Sequence, residues 1–428
     1  MPSKLYERNK RMMNLSEVIN FLPRMKSGNK LLAALEVLPE YNNDICFADV
    51  STRLMALSDI YKIYIPSQMS LEIYSKLYLA LLRSMQKKGT KLAIQQRNQN
   101  YKAIIQQEYS GIIGGSDSFT IIGTSGIGKS SAISRAITLI TENKVIETKN
   151  PYTNIALCIV VQCPFDSSVK GLLLEILRKV DEILDTKYYQ NALRARATTD
   201  MLIGSVSQVA LNHIGILIVD EIQNVANSKN GKNLMKSLTQ LINNSGISIC
   251  MVGTPESAKF FESAMQLARR SVGLQYTTMS YDTYFQEFCK IIFQYQYTQQ
   301  KTEITEGMIK WLYEHSAGVI SVVVALVHDA QEIAILNGTE RLNLESFNEA
   351  YQKRLSLLHH YIQPSISQSK QTSKIKKKAT RAIVSINTNS EAVSNSVNIA
   401  DLVVKAKNEN IDIIQLLKKY ISIEEVSV

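Results

Sequence analysis

Four short apolar runs, separated by stretches with helical spacing, organise the middle of the chain. Phe119–Ile122, Ile155–Gln162, Ile216–Val219 and Ile247–Val252 are rich in Ile and Val. Short continuous runs of this kind fit strands buried on both faces. Between and beside them, Lys129–Ile140, a stretch from Ser167 or Ser168 to Ile183, Met201–Asn212, Asn233–Leu241 and Ser257–Arg270 place apolar residues three and four apart. The alternation predicts an α/β fold, a parallel sheet covered by helices on both faces. Upstream, a helix is predicted over Asp49–Ile63, with Val50, Leu54, Leu57, Ile60 and Tyr61 on one side. After Pro66 another begins at Ser67 or Ser70 and stops at Lys87, Lys88 and Gly89. Downstream, Thr283–Gln294, Thr305–Ser316 and Val319–Ile335 predict a small helical bundle. The run VISVVVALV at its centre is too short to cross a membrane.

The connection after the first run carries chemistry. Gly123, Thr124, Ser125, Gly126, Ile127, Gly128, Lys129 and Ser130 fit the phosphate-loop pattern of glycine, four residues, glycine, lysine and serine, with Ser131 following. Glycines let backbone N–H groups point inward at phosphate oxygens. The lysine reaches the β- and γ-phosphates, and the serine hydroxyl sits on Mg²⁺. The loop lies between a strand and a helix, so a helix N-terminus also faces the anion. The expected cofactors are ATP and Mg²⁺.

About ninety residues later the run ILIV ends in Asp220 and Glu221. Asp220 is suited to the magnesium shell and Glu221 to polarising an attacking water, which predicts ATP hydrolysis to ADP and phosphate rather than binding alone. The run ending at Val252 leads into Gly253, Thr254 and Pro255. Thr254 either reaches the γ-phosphate or the water, or caps the helix that Pro255 opens. Arg269 and Arg270 close the next predicted helix. They either neutralise charge on a neighbouring subunit's nucleotide or are solvated residues at a helix C-terminus. Ile112 and Ile113 precede the first strand and either touch the base or seal the core.

Charge adds a partner. The net charge is +10, and Tyr351–Arg381 holds eight Lys or Arg and no acid. Such a segment binds an acidic polymer or serves as a solubilising tail. Lys170, Lys187, Arg194 and Arg196 follow the second strand and read by themselves as solvated surface residues. Five cysteines lack metal-ligand spacing and read as small hydrophobes in a reducing cytosol. The charged N-terminus and the absence of a long apolar run predict neither a signal peptide nor a membrane partner.

The domains expected are an N-terminal arm (1–45), a helical extension packed on the core (46–115), a nucleotide-binding core (116–275), a helical lid (276–360), a basic flexible linker (361–390) and a small C-terminal helical segment (391–428).

The loop GTSGIGKS, the strand running into DEIQ (Asp220–Gln223), the strand running into VGTP (Val252–Pro255), the CPFDSS stretch (Cys163–Ser168), STRL (Ser51–Leu54) and the helix ending in Arg269 and Arg270 resemble the AAA+ transposition regulators called TnsC and their shorter TniB relatives. The resemblance spans roughly residues 45 to 350. It implies an AAA+ P-loop NTPase with a small helical lid. It further implies a bacterial cytoplasmic protein that assembles with ATP on double-stranded DNA as a ring or filament. Such proteins link a target selector of the TniQ or TnsD kind to the transposase, and hydrolysis disassembles the complex. On this resemblance Asp220 and Glu221 form the Walker B pair, Thr254 is the first sensor, Arg269 or Arg270 the finger, and Lys170, Lys187, Arg194 and Arg196 are candidate DNA contacts. One feature departs from it. AAA+ lids often carry a sensing arginine where this chain has SAGVIS (Ser316–Ser321). The rival readings are a replication initiator or helicase loader, which needs a sequence-reading DNA domain that nothing here signals, and a signalling or defence ATPase switched by a ligand.

Overall fold

The computed structural model describes residues 22–88, 90, 93, 95, 118–142, 144–150, 152–166, 168–226, 231–258 and 273–356, with the backbone of 7–8 and 13–14. The chain divides into two compact units, Met1–Ile366 and Ser367–Val428. The second lies outside the described residues, as does nearly all of the basic run.

The strands are β1 (Glu7–Arg8), β2 (Met13–Asn14), β3 (Phe119–Gly123), β4 (Lys144–Asn150), β5 (Tyr152–Gln162), β6 (Ile214–Asp220), β7 (Ser248–Gly253) and β8 (Leu274–Tyr276). They form one sheet in the order β1-β4-β5-β6-β7-β3-β8, with β2 also against β4. The expected parallel sheet is mixed at one edge: β4 and β5 are antiparallel, with Val145 opposite Ala156. One residue separates them, whereas a parallel crossover needs a dozen or more. Two pieces of the predicted N-terminal arm, β1 and β2, add parallel to β4.

The helices are α1 (Gly28–Leu35), α2 (Val50–Leu57), α3 (Gln68–Lys88), α4 (Lys129–Thr141), α5 (Val169–Leu184), α6 (Tyr188–Arg194), α7 (Thr199–His213), α8 (Gln223–Ala226), α9 (Gly231–Ser245), α10 (Thr283–Phe293), α11 (Glu306–Ser316), α12 (Ile320–Leu336) and α13 (Leu344–Arg354). Ser168, Asp282 and Thr305 cap their helices, each accepting from the backbone N–H three residues on. The side chains of β6 alternate between two cores. Leu217 and Val219 pack with α5, α7 and α9, while Ile216 and Ile218 pack with α1, α3 and α4. Each such buried side chain is worth roughly 1.5–3 kcal/mol. Two-sided burial is why these strands read as unbroken apolar runs. The result is an α/β core with helices on both faces of the sheet, and a helical bundle, the lid, built from α10–α13.

The N-terminal extension expected on the core divides between two bodies. α3 packs on the sheet with α4. Leu57 and Ile60, beside α2, are buried in the lid core among Phe285, Phe288, Leu326 and Val327. Arg53, only 1 % exposed, donates to both carboxylate oxygens of Glu340 at 2.6 and 2.7 Å and to the Tyr297 carbonyl at 3.1 Å. The predicted helix Asp49–Ile63 breaks at Ser58 into a 3-10 turn, Ser58–Lys62, whose N-terminal hydroxyl bonds the Met55 carbonyl at 2.8 Å. Among the described residues no single helix is long and apolar enough to cross a membrane. The apolar pair α11 and α12 is bent by 119° and forms the lid's interior.

Removing one partner of a buried ion pair leaves the other uncompensated. Glu340→Ala should therefore cost about 3 kcal/mol in urea unfolding of the full chain. The Arg53 guanidinium holds the Glu340 carboxyl below its usual 4.5. Its contribution is complete above that pH and fades as the pH falls through the lower folded value. The mutant's deficit should shrink on acidification below pH 4.5.

Candidate nucleotide site

Parallel pairing of β6, β7 and β3 brings Asp220, Thr254 and the loop after Gly123 to one edge of the sheet. Phe119 faces Cys250, and Ile216 faces Ser248. β7 lies between the loop strand and the acidic strand. The loop turns through left-handed backbone at Gly126 (φ +80°) and Gly128 (φ +95°), then enters the 13-residue helix α4. Only glycine adopts these angles without strain. The loop has the backbone form that aims N–H groups and a helix N-terminus at an anion.

Lys129 is nearly buried. Its ammonium donates to the carbonyls of Gly123 at 2.6 Å and Thr124 at 2.8 Å. Burial pulls its pKa down, opposed by the charges of Asp220, Glu221 and Glu256. Ser130 Oγ donates to Asp220 Oδ2 at 3.4 Å. This hydroxyl and carboxylate pair offers the hard oxygen donors that suit Mg²⁺. Asp220 Oδ1 accepts the Glu221 N–H at 2.8 Å. Glu221 is exposed and left-handed (φ +58°), uncommon for a residue with a Cβ. Thr254 precedes the 3-10 turn Pro255–Ser257 and makes no side-chain capping bond. The Thr254 side chain instead lies where it holds the Glu256 carboxyl below its usual range.

A cavity of about 390 Å³ opens over the loop, in the size range of small-molecule sites. Its floor is Ser125–Ser131, with Asp220, Glu221 and Thr254 at one side. Its apolar walls come from two other places: Ile63, Tyr64 and Ile65 ahead of α3, and Tyr284, Phe288, Ile320 and Val324 of the lid. Tyr284 Oη donates to the Ile65 carbonyl at 2.9 Å and ties the walls together. Burial raises this phenol's pKa, so it stays a neutral donor. The polar floor and apolar walls fit a nucleoside triphosphate with its metal. The spacing of the phosphate loop announced the floor. That the segment before α3 helps close over the site was expected, but its wall residues were not singled out; their sequence signal is the apolar IYI just before Pro66.

The lid meets the loop directly. Ser321 N–H donates to the Gly126 carbonyl at 3.0 Å. A Cβ on Gly126 would run into Ser321 Oγ and lie 2.9 Å from Val319 Cγ1. Ser321 belongs to the SAGVIS stretch that lacks an arginine.

Of the other candidates, Lys170, Lys187, Arg194 and Arg196 are all exposed. Lys187, Arg194 and Arg196 share α6 and its flanks. Lys170 sits in the first turn of α5, at the other end of that helix from Lys187. Tyr188, next to Lys187, bonds His213 at the foot of β6, opposite the edge that carries Asp220. Arg269, Arg270, Ile112 and Ile113 lie outside the described residues. All five cysteines are free thiols, and burial pushes Cys158 to about 12 and Cys163 to about 11. They behave as apolar packing groups.

The family model described as bacterial TniB protein matches residues 113–278. Among solved structures, the Aeropyrum pernix ORC1 protein in complex with DNA is similar at 12 % identity and a TM-score of 0.40. That match covers 61 % of this chain and 65 % of that one. CDC6P from Pyrobaculum aerophilum is similar at 12 % identity and a TM-score of 0.39, covering 60 % and 65 %. The Thermotoga maritima RuvB Holliday junction branch migration motor gives 12 % identity and a TM-score of 0.33, covering 76 % and 83 %. The chain thus spans less than two thirds of the length of the ORC1 and CDC6P chains. No curated protein matches it.

Gly126→Ala combines left-handed strain with a collision at the lid. It should weaken ATP binding by about tenfold, or about 1.4 kcal/mol. Titration with a fluorescent ATP analogue, beside a melting curve, checks this.

Proposed function

We propose that this chain is an ATPase that assembles on double-stranded DNA and regulates transposition, linking a target selector of the TniQ or TnsD kind to a transposase. The observation that carries the ATPase part is the convergence of Lys129, Ser130, Asp220 and Glu221 on a cavity whose floor is a phosphate loop. The bacterial TniB match over residues 113–278 supports the transposition part. The proposed setting is the bacterial cytoplasm, on the nucleoid when bound to DNA.

In this reading the loop N–H groups and Lys129 hold the phosphates. Ser130 and Asp220 hold Mg²⁺, which neutralises phosphate charge when it is bound with ATP. Glu221 takes the proton of the attacking water. Thr254 orients that water or the γ-phosphate. Arg269 or Arg270 reaches the nucleotide of the adjoining subunit, so that assembly into a ring or filament depends on ATP and hydrolysis releases it. Lys170, Lys187, Arg194, Arg196 and the basic run at 370–381 are the proposed sources of a sequence-blind, salt-sensitive grip on DNA.

Electron microscopy of the full chain with and without duplex DNA, with a non-hydrolysable ATP analogue and beside Lys129→Ala, tests this. Rings or filaments that need both ligands and vanish in the variant are expected. Particles that stay monomeric, or assemble without DNA, contradict the transposition reading.

A further inference from the structure

The lid helix α12 carries a second cluster of ionisable groups, away from the phosphate loop. His328, Asp329 and Glu332 each bring one ligand atom to within 4.8 Å of the other two. On a helix of 3.6 residues per turn, positions 328, 329 and 332 fall within about 100° of the circumference. The backbone that sets this spacing is held firmly. Val327, Ala330 and Gln331 are buried on the other side of the helix. Gln331 accepts the Tyr297 N–H at 2.8 Å and donates to the Tyr295 carbonyl at 3.0 Å.

The three groups are partly buried. His328 Nδ1 and Asp329 Oδ1 lie 2.8 Å apart, so a proton sits between them. A metal ion can replace that proton with a small opening of the pair. Glu332 reaches the same space one turn on. Its basic partner, Arg354 Nη2, is 3.4 Å away and half-exposed. Like charges one turn apart on a helix repel, and a divalent cation between the two carboxylates relieves this. From the 3-10 turn Ser58–Lys62, the Tyr61 ring packs 4.7 Å from the His328 ring. Burial and the charges of Asp329 and Glu332 push this phenol's pKa up, so it stays neutral beside them. One imidazole and two carboxylates, with a water as fourth ligand, are a donor set that suits zinc and its neighbours.

We propose that His328, Asp329 and Glu332 bind a divalent transition-metal ion of the zinc class, at a site separate from Ser130 and Asp220. The site lies one turn along α12 from Val324, which lines the nucleotide cavity, and beside Tyr61, which lines it too. A bound ion fixes His328 against Tyr61 at the rim of that cavity. The inference stands apart from the ATPase reading, because binding needs no nucleotide.

Calorimetric titration of the chelator-treated full chain with zinc chloride, without nucleotide, tests this. Binding in the micromolar range is expected, with a zinc-dependent rise in melting temperature. The chain has five histidines and five cysteines in all, so variants must locate the ion. His328→Ala and Glu332→Gln should each weaken binding at least about tenfold, since losing even an outer-shell partner costs roughly 10- to 100-fold. Both should lose the zinc-dependent rise. Glu332→Gln keeps the shape of the side chain, and its metal-free melting curve should match the wild type. Asp220→Asn and the double variant His359→Ala with His360→Ala should bind zinc as the wild type does. Cobalt in place of zinc should give ligand-field bands without the charge-transfer band that a cysteine ligand brings. No zinc binding in the micromolar range overturns the proposal. So does binding that survives in His328→Ala and Glu332→Gln, which would mark an adventitious ion only.

Discussion

The parallel pairing of β3, β7 and β6 is the constraint on which the rest depends. Parallel strands end at a common edge, so the loop after β3, Thr254 after β7 and the carboxylates after β6 meet without any long-range side-chain contact arranging them. Two-sided burial fixes that register. A slip of one residue on β6 would send Leu217 and Val219 into the opposite core and lift Asp220 away from Ser130. The chemistry at the edge is held by the hydrophobic pattern along the strands.

The second determinant is the way the lid is held. Among the described residues three chain crossings join core and lid, between Leu35 and Tyr41, near Pro66 and through Met279, and the cavity lies between the last two. The segment before Pro66 travels with the lid: α2 is locked to it by Arg53 and Glu340, and Tyr295 Oη bonds the Pro39 carbonyl at 3.1 Å. From the other side Ser321 touches Gly126 through its backbone. The lid therefore touches the loop through a main-chain hydrogen bond, made within the SAGVIS stretch that has no arginine.

The features legible in the sequence are local ones. The phosphate loop is a spacing of eight residues, and the acidic strand is an apolar run with two acids at its end. Both lie where expected, and Ser168, one of the two serines offered as a helix start, caps α5. The lid's apolar centre was legible from VISVVVALV. What escaped depends on residues far apart in the chain. Ile65 and Tyr284 share a wall across 219 residues, and Arg53 meets Glu340 across 287. β8 has three residues, too few to show a period. β4 was passed over because its KVIETKN mixes polar and apolar residues at a sheet edge. Gln223 was visible in DEIQ as a letter, but the bond it accepts from the Thr254 N–H, 31 residues on, was not.

The central claim is that core, lid and the segment before α3 together make one nucleotide site. Hydrogen exchange of the full chain with and without ATP and Mg²⁺ tests it most directly. The account predicts slowed exchange in three separate stretches: the loop 123–131, residues 63–70, and the start of α12 at 319–324. Protection confined to the loop, with the other two stretches unchanged, would contradict it.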